Sequence, residues 1–127
     1  MDGAMGSELI QRKLTLPEHI WSAEVNLTNP EMVYDIHREY INAGAEYITT
    51  NTFRSTPRSY SKIGVRNEHL NDSMRNAKES SYKAVDLAKK SSNNSVKILG
   101  SIAPLEDCYI PQLFPGKVIA IPEFLQL

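Results

Sequence analysis

The stretch Asn29–Thr52, NPEMVYDIHREYINAGAEYITTNT, decides the fold. Asn29 followed by Pro30 is a helix start. The Asn side chain is able to cap, and proline fits the first helical position, where no amide donor is needed. Glu31 sits at the positive end of the helix dipole. Val33, Ile36, Tyr40 and Ile41 recur at helical spacing and form one apolar stripe. Gly44 supplies the left-handed stop. Glu46–Thr50, β-branched and aromatic, then reads as a short strand, and Asn51–Ser55 as the loop leaving its carboxyl end.

Working outward, Thr56-Pro57 repeats the cap-then-proline signal and opens a short helix expected to stop at Gly64. A long helix is predicted from about Asn67 to Lys90, with Leu70, Met74, Ala77, Ser81, Ala84, Val85 and Ala88 on one side. The basic residues Arg75, Lys78, Lys83, Lys89 and Lys90 alternate with Asp72, Glu79 and Asp86, as on a solvated face. Ser91–Ser95 is a polar turn. Val96–Gly100 is a compact apolar run of the kind buried in parallel sheets. Strand, helices, strand implies a parallel pair joined by a right-handed crossover. Beyond Ser101, Pro104, Pro111, Pro115 and Pro122 oppose a long helix, and GKVIAIPEFLQL reads at most as a short strand cut off by Pro122. The fold class is α/β, with two strands that do not close a sheet.

The chain has 127 residues, enough for one domain, with 41% hydrophobic and 23% charged residues and a net charge of -1. This is a soluble globular composition. The charge balance gives no reason to expect nucleic acid, and no apolar run is long enough to span a membrane. The start, MDGAMGSELIQRK, lacks the apolar core of a signal peptide, so the expected location is the cytoplasm. One cysteine forms no internal disulfide and no thiolate cage.

Four places carry candidate chemistry. In Asp2-Gly3-Ala4-Met5-Gly6, glycines let the backbone approach a ligand, and Asp2 offers a carboxylate for an ammonium group; a flexible terminus has the same composition. Thr49, Thr50, Asn51 and Thr52 stand at the carboxyl end of the first strand, where α/β folds bind ligands, although such residues also satisfy their own turns. Gly100–Pro104 occupies the equivalent place after the second strand. Trp21 reads as a core anchor or as the aromatic wall of a pocket. His19, His37 and His69 share no metal-ligand spacing, and His37 is expected on the flank of its helix or in solvent. Cys108, with no His or Cys partner nearby, reads as structural or exposed.

Taken in order, DGAMGSEL, IWSAEVNLTNPEMVYDIHREYINAGAEYITTNTFRSTP and ILGSIAPLEDCY resemble the homocysteine S-methyltransferase family, from Asp2 to about Pro115. The resemblance implies a partial (β/α)8 TIM barrel over residues 1–115, matching the second and third of eight strands, and a divergent tail over 116–127. It implies methyl transfer from a donor such as S-methylmethionine to the zinc-bound thiolate of homocysteine, giving methionine. Asp2, Gly3 and Gly6 would hold the amino acid end of homocysteine, with Trp21, Thr50, Asn51 and Thr52 beside it. Ser7 stands where threonine is commoner. The family's three zinc cysteines, one near its sixth strand and a pair after its eighth, have no counterpart here, and Cys108 belongs to a different block. The chain is therefore expected to be inactive and unstable alone. The alternative is a non-catalytic module that docks on a full-length barrel or self-associates through its open sheet edges.

Overall fold

The computed structural model describes residues 1–63 and 70–125. In chain order the elements are α1 (Met5–Gln11), a 3-10 turn (Trp21–Glu24), α2 (Val25–Thr28), α3 (Pro30–Asn42), β1 (Tyr47–Thr49), α4 (Pro57–Ser61), α5 (Leu70–Ser92), β2 (Lys97–Leu99), a second 3-10 turn (Pro111–Leu113) and α6 (Lys117–Phe124). The two strands pair in parallel, with Ile48 opposite Ile98. Fold class and strand order therefore follow the sequence reading.

Helix α3 starts at Pro30 as expected, but the Asn29 side chain makes no capping bond. Asn29 follows directly on α2, and its own amide donates to Val25 at 2.9 Å. Its backbone carbonyl instead accepts the Met32 amide at 3.1 Å, so the turn is satisfied without the side chain. Gly44 has φ +97°, the left-handed stop that glycine adopts at low cost. Thr56 does cap α4: its hydroxyl accepts the Ser59 amide at 3.1 Å. The expected stop at Gly64, the expected start of the long helix at Asn67, and His69 lie outside the described residues.

The core is built mainly by helices. One cluster joins Leu9, Val25, Val33, Ile36 and Leu87, and a second joins Ile20, Ala23, Tyr60 and Ala77. Ile48 in the middle of β1 is fully buried. Each buried Leu, Ile or Val contributes roughly 1.5–3 kcal/mol relative to exposure.

Three expectations are corrected. His37 is neither on a flank nor in solvent but fully buried, because α3 turns Val33, Ile36 and His37 inward together, at helical spacing. Strand β2 is not buried: Lys97 and Leu99, whose side chains share one face of the two-stranded sheet, are exposed, while Ile98 on the other face is half-buried. The segment expected at most as a short strand is α6, a helix with Pro122 inside it. Pro122 is six residues into this helix, so its missing amide breaks only one turn. An ion-pair network holds the segment down: Arg58 pairs with Glu123 and with Glu106, and Lys62 also pairs with Glu106. The Lys62 and Arg58 partners hold the Glu106 carboxyl below the usual range.

Candidate active site at the carboxyl end of the first strand

Asp2 lies along the edge of β1 opposite β2. Its amide donates to the Tyr47 carbonyl at 2.9 Å. Its carboxylate accepts the Thr49 amide at 2.6 Å and the Thr49 hydroxyl at 3.0 Å. These charge-assisted bonds fix the carboxylate at the strand's carboxyl end, and its remaining lone pairs stay available. The N-terminal segment is thus tied to the sheet, and α1 begins within the glycine-containing stretch.

The two glycines beside Asp2 serve close packing. A methyl group at Gly3 would come 2.7 Å from the Tyr40 hydroxyl, and one at Gly6 would overlap the indole nitrogen of Trp21. Trp21 has φ +54°, unusual for a bulky residue, and is 39% exposed. It therefore forms a wall, not a core anchor. With Glu18, Phe53, Arg54, Asp107 and Tyr109 it lines a cleft of about 330 Å³.

Asn51 is buried beneath this wall. Its side-chain nitrogen donates to the Ser22 carbonyl at 2.8 Å and to Asn26 Oδ1 at 2.9 Å, while its Oδ1 accepts from the Ser22 hydroxyl at 2.7 Å. Asn26 in turn donates to the Asn51 carbonyl and to Ser80, whose hydroxyl donates to the Ala23 carbonyl. Both N–H groups of Asn51 are used within the protein, so its side chain positions the Trp21 segment against the strand end. Tyr60, packed alongside, is pushed up to about 12 by burial.

Thr50 and Thr52 turn toward β2. Their hydroxyls are 2.9 Å apart, both accept the Ser101 amide at 3.3 Å, and Thr52 donates to the Ser101 carbonyl at 2.6 Å. The loop Gly100–Pro104 is thereby joined to the end of β1. The predicted site residues thus converge on one end of the sheet in three groups: Asp2 on one edge, Trp21 with Gly6 and Asn51 above it, and Thr50 with Thr52 toward β2.

Thr49 belongs to the strand-end stretch that the sequence singles out, and its amide and hydroxyl hold Asp2; sequence reasoning missed Ser22, Asn26 and Ser80. The last had a signal: Ala77, Ser80, Ala84 and Ala88 share helical spacing, so Ser80 is a polar residue in an apolar stripe. Ser80 is fully buried, whereas Ser81, which the sequence reading put on that stripe, is half-buried.

Among the described residues there is no group of three or more His, Cys, Asp or Glu able to hold a metal ion. Cys108, the one cysteine in the sequence, is exposed on the loop after β2. These residues do not fit the thiolate zinc site that the resemblance implies. No described helix is long and apolar enough to cross a membrane.

Residues 1–124 match the sequence profile of the homocysteine S-methyltransferase family. The chain belongs to that family. It is 30% identical over 106 residues to homocysteine S-methyltransferase of Escherichia coli strain K12, covering 82% of this chain and 34% of that one. It is 28% identical over 79 residues to selenocysteine Se-methyltransferase of Brassica oleracea, covering 62% of this chain and 23% of that one. The structure resembles the metallated crystal form of the E. coli homocysteine methyltransferase MmuM. The TM-score is 0.55 at 28% identity, over 82% of this chain and 37% of the other. The chain thus spans about a third of the length of the E. coli relative.

Proposed function

We propose that this chain forms the homocysteine-facing part of an S-methyltransferase barrel wall, and that by itself it does not transfer methyl groups. The observation that carries the reading is the Asp2 carboxylate, fixed by the Thr49 amide and hydroxyl at the carboxyl end of β1. A carboxylate held there with spare lone pairs suits the ammonium group of an amino acid substrate. Gly3 and Gly6 let Tyr40 and Trp21 pack close beside it, Trp21 closes one side, and Thr50 and Thr52, their hydroxyl protons spent on each other and on Ser101, fix the Gly100–Pro104 loop on the other. Asn51 acts by holding the Trp21 segment, since its own donors are used.

In the full reaction a methyl group from a donor such as S-methylmethionine passes to the homocysteine sulfur, giving methionine. Zinc, when bound by such an enzyme, keeps that sulfur as the thiolate nucleophile. The residues here supply no set that fits it, and their part is confined to binding and orienting the amino acid end.

The test is a titration of the 15N-labelled chain with L-homocysteine, followed by NMR. The reading predicts shifts of the Thr49 amide and the Trp21 indole resonance, abolished in Asp2→Ala. Unmoved Thr49 and Trp21 resonances at saturating homocysteine would refute it.

A further inference from the structure

We propose that Arg54 is a specificity-determining residue: in the cleft beside Trp21, its guanidinium takes the carboxylate of a substrate that also carries a cationic group. The inference deepens the reading of this strand end as an amino-acid-binding site and rests on it.

The charge of Arg54 is enclosed but loosely answered. Its side chain is 16% exposed. Of its guanidinium N–H groups, one on Nη1 donates to the Glu18 carbonyl at 2.8 Å, and among the described residues the side chain has no other hydrogen-bond acceptor. One carboxylate oxygen comes near, Asp107 Oδ1, but it stands 3.7 Å from Nη2, beyond hydrogen-bond distance. That oxygen is turned to its own loop, where it accepts the Tyr109 amide at 2.9 Å. A charge taken out of water calls for a hydrogen-bonded counter-charge, and the planar guanidinium fork matches a carboxylate with two parallel bonds.

The backbone holds the group in place. Arg54 has φ +64°, a left-handed conformation that a non-glycine residue keeps only where its surroundings fix it. Here its carbonyl accepts the Thr56 amide at 2.8 Å, and its guanidinium carbon lies 5.9 Å from the centre of the Phe53 ring. One side chain thus ties the loop after β1 to the Glu18 segment and faces the loop after β2. The cleft it lines with Trp21, of about 330 Å³, is at the small end of ligand pockets and suits a molecule of amino acid size.

The other charges in the cleft narrow the ligand. Glu18 and Asp107 line it as well, so its walls carry more negative than positive side chains. A simple anion would be repelled by both carboxylates. A molecule with a carboxylate for Arg54 and a cationic group for Glu18 or Asp107 satisfies all of them, and Trp21 and Tyr109 offer exposed flat surface to its aliphatic part. Homocysteine and an amino acid methyl donor such as S-methylmethionine both carry that pair of groups.

The experiment titrates the chain with L-homocysteine, with S-methylmethionine and with the methyl ester of each, following Trp21 fluorescence and the Thr49 amide by NMR. Esterification removes the carboxylate charge. For at least one of the two ligands the parent chain should bind the ester about tenfold more weakly than the acid, the loss expected for charge-assisted hydrogen bonds. Arg54→Gln should bind acid and ester alike, at the affinity the parent has for the ester. Arg54→Lys keeps the charge but loses the fork, so it should retain only part of the preference, and it serves where Arg54→Gln fails to fold. A preference seen with homocysteine assigns the carboxylate to the methyl acceptor, and one seen with S-methylmethionine assigns it to the methyl donor; either supports the proposal. Acid and ester bound alike by the parent, or a preference that survives in Arg54→Gln, would overturn it. In that event a Thr49 amide moved by homocysteine leaves the Asp2 reading standing, whereas absence of all binding overturns both.

Discussion

Replacing Gly6 by alanine tests the packing that shapes the site. The added methyl would overlap the Trp21 indole nitrogen and lie 3.0 Å from its Cε2. The Trp21 backbone has little room to yield, because its amide donates to Pro17 at 2.7 Å and the next residue, Ser22, is held by Asn51. The indole must therefore swing toward the cleft. Overpacking of this kind costs about 1–3 kcal/mol. Alanine is also a better helix former than glycine by up to about 1 kcal/mol, and Gly6 lies in the first turn of α1. The net expectation is a loss of about 1–2 kcal/mol. Trp21 is the single tryptophan, so its fluorescence reports both quantities. Gly6→Ala should give a red-shifted emission, stronger acrylamide quenching and a lower urea midpoint. An unchanged emission maximum, with stability within about 0.5 kcal/mol of the parent, would refute the packing argument.

Other perturbations separate the remaining parts. Asn51→Ala leaves the Ser22 and Asn26 groups unsatisfied in a buried place and should cost about 2–3 kcal/mol in urea unfolding, with increased exposure of Trp21. His37 is buried with neither ring nitrogen hydrogen-bonded; burial lowers its affinity for a proton, and the negative charge of Asp2 only partly offsets this. The unfolded chain therefore takes up that proton first, so stability is lost as pH falls below the ordinary histidine value of about 6.5. His37→Leu should flatten that loss and raise stability near pH 7 by about 1 kcal/mol, read as urea midpoints from pH 7.5 to 5. Arg58→Ala removes the ties to Glu106 and Glu123 and should free α6, seen as faster limited proteolysis between residues 110 and 124 at about 1 kcal/mol or less in global stability.

The elements legible in the sequence were those whose signals are local. Pro30 and Gly44 bracket α3, Thr56 caps α4, and the β-branched run Tyr47–Thr49 is a strand, because caps, turns and periodicity act within a few residues. The burial of β2 was misread, because burial depends on what covers each face of the sheet, and a five-residue apolar run carries no information about that cover. His37 was misread by residue type, although its position between Ile36 and Tyr40 placed it on the inward stripe. The convergence of Asp2, Trp21 and Asn51 on one strand end needed the tertiary structure. The Asn26–Asn51–Ser80 network links residues 25 to 54 positions apart, with no periodic mark on Asn26. The family resemblance, by contrast, rests on three separated blocks, and the profile match through residue 124 extends past the last of them.

Methionine formation from homocysteine and S-methylmethionine tests the central claim most directly, measured for this chain, for the unmatched part of the E. coli enzyme, and for the co-expressed pair. The account predicts that neither polypeptide turns over alone and that the pair does. Turnover by this chain alone, free of contaminating enzyme, would contradict it, as would an assembled, metal-loaded pair that makes no methionine.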